Sequence, residues 1–222
     1  MKKRRIDGQE TQLALLSSAT ELFAKKGFWE TTNADICKKA NANIASINYH
    51  FGSKENLYVE SWKYVFRESM EKYPPDGRVA PDASVQERLY GRIFALMQRI
   101  SDTANYDLDI VHREMAAPTG LLSEVMDEAM KPIEYGFKSI IRELLGNCAG
   151  KKEVEFCHMT IMGQCFGPML HLRHRRSGED FLHHKEFHVD FDVEDLAMHI
   201  TKFSLDGITG VRERLSGKVY ST

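Results

Sequence analysis

Apolar residues recur three and four positions apart along most of this chain, which is the spacing of one face of an α-helix. The periodic stretches stop at segments with glycine and proline, of which residues 74–83 (PPDGRVAPDA) form the clearest loop. The pattern predicts an all-α fold of about nine helices, with Pro132 in the first turn of one of them. Apart from two short helices between residues 32 and 54, the expected helices cover residues 9–26, 54–73, 84–102, 107–116, 121–130, 132–145, 151–174 and 193–215.

The segment 32–54 (TNADICKKANANIASINYHFGSK) predicts two short helices joined by a tight turn. Thr31 or Thr32 can cap the first helix, and Asn41 tolerates the left-handed conformation that ends a helix. Asn43 can cap the second helix in the same way. The second helix is then expected to turn three apolar residues inward, namely Ile44, Ile47 and Phe51.

The other faces of this second helix carry small or hydrogen-bonding side chains and no carboxylate: Ala45, Ser46, Asn48 and Tyr49. A helix of this kind can enter the major groove of DNA. Asn48 suits the N6 and N7 edge of adenine, Ser46 is a less selective donor or acceptor, and Ala45 can meet a thymine methyl. An ordinary helical hairpin with a polar outer face is the alternative that the periodicity leaves open.

Residues 9–58 resemble the DNA-binding domain of the TetR family of bacterial regulators. The resemblance is carried by ATELFAKKGFWETT and DICKKANANIASINYHFGSKENLY, with Asn41 where the family usually has glycine. It implies that Thr32, Tyr49, His50 and Lys54 hold DNA phosphates. Each can instead be a surface residue, and Tyr49 and His50 can instead pack partly against the fourth helix. The expected DNA-contacting residues are Thr32, Asn43, Ala45, Ser46, Asn48, Tyr49, His50 and Lys54.

The resemblance also implies two domains. Residues 1–53 correspond to a homeodomain-like, three-helix DNA-binding domain with the helix-turn-helix, and residues 54–222 to a larger helical domain that binds an effector and dimerises. The segment HREMAAPTGLL resembles the TetR subgroup with a CecR-type C-terminal domain. Arg113 and Glu114 in this segment are expected to pair with each other, either in the wall of the effector pocket or at the surface.

The last two predicted helices, 151–174 and 193–215, combine wide apolar faces with small residues. The stretch FSLDGITG resembles the segment with which TetR-like proteins build a four-helix dimer bundle. The alternative is that both helices only fill the core of the monomer. The expected dimer interface consists of Met159, Gly163, Phe166, Gly167, Leu170, Leu196, Ile200, Phe203, Gly207 and Val211.

An effector pocket is expected among aromatic, methionine and histidine residues of the larger domain, since ligand pockets are mostly apolar with a few polar groups. The same residue types at helical spacing are also typical of an ordinary core. The candidates are Trp62, Tyr90, Phe94, Met97, His112, Met115, Met126, Tyr135, Phe137, Met162 and Phe166.

Charge is unevenly distributed along the chain. Residues 1–54 contain nine Lys and Arg against five Asp and Glu, whereas the rest contains 21 against 27. A basic end suits a polyanionic partner, and Lys2 to Arg5 are expected to form a mobile arm that is either solvated or in contact with DNA.

Four cysteines without a CxxC pair indicate reduced thiols. With no signal peptide or membrane span predicted, we expect a cytoplasmic protein.

Two other classes of function receive little support. His171, His174, His183, His184 and His188 lie near Glu179 and Asp180, but the loose spacing assigns no metal site. The chain has no G-x-S-x-G, HExxH or phosphate-binding loop, so we expect neither an enzyme nor a cofactor.

The sequence predicts a homodimeric repressor that binds palindromic DNA and is released by a small apolar or amphipathic ligand. A constitutive DNA-binding protein without an effector and a metal-responsive regulator are the alternatives.

Overall fold

The computed structural model describes residues 2–177 and 192–217, with side chains from residue 8 to 168 and from 192 to 217. These residues form nine α-helices and no strand, which confirms the all-α fold. The helices are α1 (Lys2–Glu30), α2 (Asn33–Ala40), α3 (Ile44–Phe51), α4 (Lys54–Lys72), α5 (Val85–Ser101), α6 (Asp107–Ala116), α7 (Ser123–Leu145), α8 (Lys151–Ser177) and α9 (Val193–Leu215). None of the helices in these described residues is both long and apolar enough to cross a membrane.

The first helix begins earlier than the sequence pattern predicts. Helix α1 starts at Lys2, so the segment Lys2 to Arg5, expected to form a mobile arm, has helical backbone, and its contact with DNA stays a prediction. Lysine and arginine are good helix formers, and no proline stands between them and the apolar part of the helix. Helical geometry is interrupted at Gly27, whose φ of 78° is readily adopted by glycine.

Helix α7 corrects the prediction of two separate helices over 121–130 and 132–145. It is continuous from Ser123 to Leu145 and contains Pro132 in its interior. The fixed φ of proline is compatible with a helix, and the local loss is one backbone hydrogen bond and some crowding. The packing of the apolar residues on both sides of Pro132 therefore outweighs the break that proline favours.

The chain divides into two compact units that do not follow the order of the sequence. The head unit consists of residues up to Lys72 together with Thr103–Met130, and the body unit of Tyr73–Asp102 together with residues from Lys131 onward. The predicted boundary between residues 53 and 54 separates two functions and stays a prediction.

In the head unit, α1 lies against α2, α3, α4 and α6. The shared core includes fully buried residues from five helices and the segment before α7: Leu15, Phe23, Ile36, Ile47, Leu57, Trp62, Ile110 and Leu122. Burying side chains of this size stabilises a fold by about 1.5–3 kcal/mol each. Helices α2 and α3 are short and are therefore held in place by this core rather than by their own helical propensity.

In the body unit, α5 packs against α8 and α9, and α8 packs against α9. Helix α5 begins with a capping box, in which Glu87 N donates to Ser84 Oγ and Ser84 N donates to the Glu87 carboxylate. Its Gly91 lies against the turn at Gly77, where a Cβ atom would come 2.2 Å from the Gly91 carbonyl oxygen. The turn over 74–83 is thus packed closely against α5.

Candidate nucleic-acid interface

Helix α2 is fixed at both ends by local hydrogen bonds. The Thr32 hydroxyl accepts from Asp35 N at 3.1 Å, and the Asp35 carboxylate accepts from Thr32 N at 3.3 Å, which is a complete capping box. Asn41 then adopts φ 51° and ψ 43°, and its N–H donates to Cys37 and Lys38 carbonyls. The predicted left-handed stop at Asn41 is therefore confirmed, and Thr32, not Thr31, is the cap.

Helix α3 starts at the predicted cap, since Asn43 Oδ1 accepts from Ala45 N at 3.0 Å. Ile47 is fully buried in the head core and Phe51 is half-buried, so these two residues anchor the helix. Ile44 was expected inward as well, but 56% of it is exposed. In this eight-residue helix it lies one turn before Asn48, on the outward side.

The outward face of α3 is formed by Ile44, Ala45, Asn48 and Tyr49, all of which are exposed. Tyr49 is 83% exposed, and its ring meets the His50 ring edge-on at 4.8 Å between centroids. The face presents an amide, a phenol and two apolar side chains, with no carboxylate. It can therefore approach a polyanion without charge repulsion and offers both hydrogen-bonding and methyl-contacting groups to base edges.

Lys54 secures the corner between α1 and α2. Its ammonium donates to the carbonyls of Phe28 at 2.9 Å and Thr31 at 2.7 Å and lies 4.1 Å above the Phe28 ring centre. The Thr31 hydroxyl donates to the Gly27 carbonyl at 2.7 Å in the same corner. Burial lowers the pKa of Lys54 from its ordinary value. These bonds join the start of α4 to the segment that orients the helix-turn-helix.

Helix α6 holds the end of α1 and one side of α4. Arg113 donates to the Lys25 carbonyl at 2.6 Å. Lys25 lies in the turn of α1 that precedes the break at Gly27. Glu114 accepts from the Tyr58 hydroxyl at 3.0 Å and from Thr119 N at 2.9 Å. Burial and the adjacent Glu114 raise the pKa of Tyr58. The two residues therefore bond to separate partners, contrary to the expected Arg113–Glu114 pair.

Comparison with protein families matches both parts of the chain. Residues 15–60 match the family described as bacterial regulatory proteins, tetR family. Residues 85–208, more than half of the chain, match the C-terminal domain of the HTH-type transcriptional dual regulator CecR. The chain belongs to the TetR family. Within it, the chain has a CecR-type C-terminal domain, as the sequence resemblance predicted.

Individual relatives agree with this membership. The CecR protein of Shigella flexneri, named a transcriptional dual regulator, is 27% identical over 152 residues, which cover 64% of this chain and 67% of that protein. IcaR of Staphylococcus aureus, named a negative regulator of a biofilm operon, is 42% identical over 52 residues, or 23% of this chain and 28% of IcaR. A TetR-like regulator from Rhodococcus sp. RHA1 has the same fold with a TM-score of 0.61 and 17% identity, covering 90% of this chain and 96% of that one.

The TetR-family residues predicted to contact DNA lie on or next to the helix-turn-helix. Asn48, Tyr49 and Ala45 are exposed on α3, while Ser46 and His50 are half-buried beside them. The exposed pair Thr32 and Asn43 contribute their side-chain oxygens to the caps of α2 and α3, and Lys54 bonds the α1–α2 corner. Their contacts with DNA stay predictions.

The predicted pocket residues of this TetR-family chain divide between the two units. Trp62, His112, Met115 and Met126 belong to the head unit, and the other seven belong to the body unit. Trp62, Met97 and Phe137 are buried, as core residues are, whereas His112, Met115 and Tyr135 are exposed. The side chains of these three exposed residues face solvent in the described chain, and the role of all eleven residues in a pocket stays a prediction.

Most of the predicted dimer residues are exposed on α8 and α9. Met159, Phe166 and Phe203 are exposed, and a Cβ atom added to Gly163, Gly167 or Gly207 would meet nothing within 4 Å. Leu196 and Val211 are half-buried, and the side chain of Leu170 lies outside the described residues. Ile200 is only 1% exposed, because it faces the core of the body unit, and this corrects its assignment to the interface. The histidine cluster 171–188 also lies outside the described side chains.

The sequence did not predict the exposure of two large apolar residues of the head unit, Ile44 and Trp29. Ile44 was assigned to the inward face, although its i,i+4 relation to Asn48 indicates the opposite side. Trp29 is 65% exposed at the α1–α2 corner, and its ring packs edge-on against Phe28 at 5.2 Å. No spacing in the sequence marks Trp29, because it follows the break in α1 at Gly27.

Proposed function

We propose that this protein is a homodimeric transcriptional repressor of the cytoplasm that binds palindromic operators and is released by a small apolar or amphipathic ligand. The observation that supports DNA binding most directly is the exposed, carboxylate-free face of α3, held by capped helix ends in a TetR-family head. Asn48 is the residue of this face that suits adenine, and Ala45 and Ile44 suit thymine methyl groups. Thr32, Tyr49, His50 and Lys54 contact phosphates in this proposal.

The dimer is supported by the apolar surface of α8 and α9. Exposed apolar patches rimmed by polar residues mark interaction sites, and three glycines on this surface permit close approach of another helix. A second copy of the chain offers the same surface, as a two-fold symmetric interface requires. Two α3 helices about 34 Å apart then read two half-sites, which makes the operator palindromic.

A ligand is supported by polar atoms buried without a partner on α4. Within the described residues, Trp62 Nε1 and Ser61 Oγ have no hydrogen-bond partner, and buried polar groups normally have one. Trp62 stacks on Phe66 and shares its hydrophobic cluster with Met126. An apolar ligand with a hydrogen-bond acceptor would complete the bonding of Trp62, which is why an amphipathic molecule is proposed.

Release is proposed to proceed through α4 and α6. Tyr58, one turn before Trp62, donates to Glu114, and the neighbouring Arg113 holds the Lys25 carbonyl at the end of α1. A ligand that shifts α4 would alter these bonds and hence the orientation of α2 and α3. A coupling of about 1–3 kcal/mol between ligand and operator changes the affinity for the operator roughly 5- to 150-fold. The name of the CecR relative, a dual regulator, adds activation as a second mode of action to be tested.

The decisive experiment is selection of bound duplexes from random DNA with the purified protein, with the region upstream of its own gene as a second pool. We expect an inverted repeat whose half-sites are about one helical turn apart. Affinity for the selected duplex is then compared with affinity for a scrambled duplex of the same composition. Equal affinities, or a monomer at micromolar concentration, would contradict the proposal.

Lys54 provides a test of the head geometry. Replacing Lys54 with methionine keeps the aliphatic stem but removes the bonds to Phe28 and Thr31 carbonyls. We expect the free energy of unfolding to fall by about 2 kcal/mol, since hydrogen bonds to charged groups contribute roughly 1.5–3 kcal/mol. We also expect weaker binding to every duplex and a salt dependence whose slope is smaller by about one, as for a lost phosphate contact.

The matched control is Lys38→Met, because Lys38 is an exposed lysine of α2. Its substitution removes the same charge and is expected to leave thermal stability unchanged. If Lys54→Met melts like the wild type, the role of Lys54 in the α1–α2 corner is refuted. An unchanged salt slope refutes the phosphate contact.

A further inference from the structure

Three side chains with metal-binding atoms meet in the body unit, away from the helix-turn-helix. Glu134 comes from α7, and Glu155 and His158 come from α8. One ligand atom of each lies within 4.8 Å of the others. Among the described residues, no other three histidine, cysteine or acidic side chains bring their ligand atoms this close together.

The arrangement follows from helix geometry and packing. Glu155 and His158 are three residues apart and therefore share one face of α8. Phe137 is buried beside them, and its ring centre lies 6.1 Å from that of His158. Glu134 lies on α7 one turn before Lys138, so the carboxylate from α7 meets the two groups from α8 at a half-buried position.

A cation already lies between the two carboxylates. The ammonium of Lys138 donates to Glu155 at 2.6 Å and also to Glu134. This single positive charge leaves the pair of carboxylates with one uncompensated negative charge. The position thus accommodates a cation, and the imidazole of His158 places a nitrogen ligand beside the two carboxylates.

We propose that Glu134, Glu155 and His158 form a binding site for a divalent transition-metal ion, which displaces the Lys138 ammonium when it binds. Two carboxylate oxygens and one imidazole nitrogen suit Zn²⁺, Mn²⁺ or Fe²⁺, whereas Mg²⁺ and Ca²⁺ favour oxygen ligands alone. Metal–ligand bonds of about 2.1 Å place donor atoms roughly 3.4 Å apart in a tetrahedron. Partly exposed glutamate side chains reach such distances by rotation about their side-chain bonds.

The bound ion would link α7 to α8 within the body unit. Phe156 and Met159, which flank two of the ligands in the sequence of α8, are exposed on the helix proposed to meet a second copy of the chain. Metal occupancy would therefore hold in place the helix that carries this surface. The metal site itself rests on no assumption about DNA or dimerisation, so its failure leaves the proposed regulator untouched.

The test is titration of the full-length protein with Co²⁺, followed by absorption spectroscopy, and with Zn²⁺, followed by calorimetry. Glu155→Gln and His158→Gln are each expected to lose one equivalent of bound metal relative to the wild type. Lys138→Met is expected to bind that equivalent at least about tenfold more tightly, because a competing positive charge is removed. Thermal melting of the metal-free variants checks that each is folded.

The matched control is His199→Gln, since His199 is an exposed histidine on α9. It is expected to bind as many equivalents as the wild type. The histidines between residues 171 and 188 are present in every variant, so only differences between variants count. The proposal is overturned if the wild type binds no more metal than Glu155→Gln and His158→Gln, or if Lys138→Met does not bind more tightly.

Discussion

Replacing Phe203 with glutamate is expected to make the protein monomeric and to weaken operator binding roughly a hundredfold or more. Phe203 is 59% exposed on α9, and Met159 and Phe166 are exposed on α8. In a two-fold symmetric interface the substitution places two carboxylates in an apolar contact, which costs several kcal/mol. A single head then binds one half-site, and the gain from holding two heads at a fixed separation is lost.

The measurement is sedimentation at micromolar concentration together with binding to the selected duplex. Leu215→Glu is the matched control, because it places the same charge on a partly exposed apolar position of the same helix. At about 100° per residue, position 215 lies roughly 120° around the helix from position 203. The control is expected to remain dimeric. A dimeric Phe203→Glu variant with full affinity would place the interface elsewhere on the chain.

Replacing Asn48 with alanine is the second change with a large expected effect. We expect binding to the selected operator to weaken roughly 10- to 100-fold, since one bidentate contact to a base contributes about 1–3 kcal/mol of discrimination. Binding to unrelated DNA should change little, because phosphate contacts are retained. Asn48 is exposed on α3, and alanine favours a helix, so stability should be maintained.

Competition between the operator and scrambled DNA measures this difference in binding. Asn147→Ala, at an exposed position in the turn between α7 and α8, is the control and should bind both duplexes as the wild type does. Operators with single base changes then show whether the Asn48 variant has lost its preference at one position. If affinity for the operator and for scrambled DNA falls equally, Asn48 is not a base-reading residue.

Features carried by a few neighbouring residues were predictable. The cap of α2 at Thr32, its left-handed end at Asn41 and the cap of α3 at Asn43 all arise from hydrogen bonds within about four residues. The bounds of α6 and α9 also agree with the apolar periodicity. These local signals, together with the TetR motifs, were sufficient for the fold class and the family.

Predictions failed where packing outweighs a local preference. Pro132 was expected to begin a helix, but α7 continues through it because the helix is apolar on both sides. Ile44 is apolar and yet exposed. The burial of Ile47 and Phe51 orients helix α3 so that Ile44 lies on its outward side. Arg113 and Glu114 are adjacent in sequence, but each bonds to a helix distant in sequence.

Short-range hydrogen bonds and apolar spacing thus account for the helices, their caps and the polar face of α3, because all of these depend on residues one or two helical turns apart. Contacts between segments far apart in sequence could be identified only from the tertiary structure. Lys54 meets carbonyls at residues 28 and 31, and Glu134 meets Glu155 and His158. Such contacts depend on how whole helices pack, and no periodicity along a single helix specifies the side chains of its neighbour.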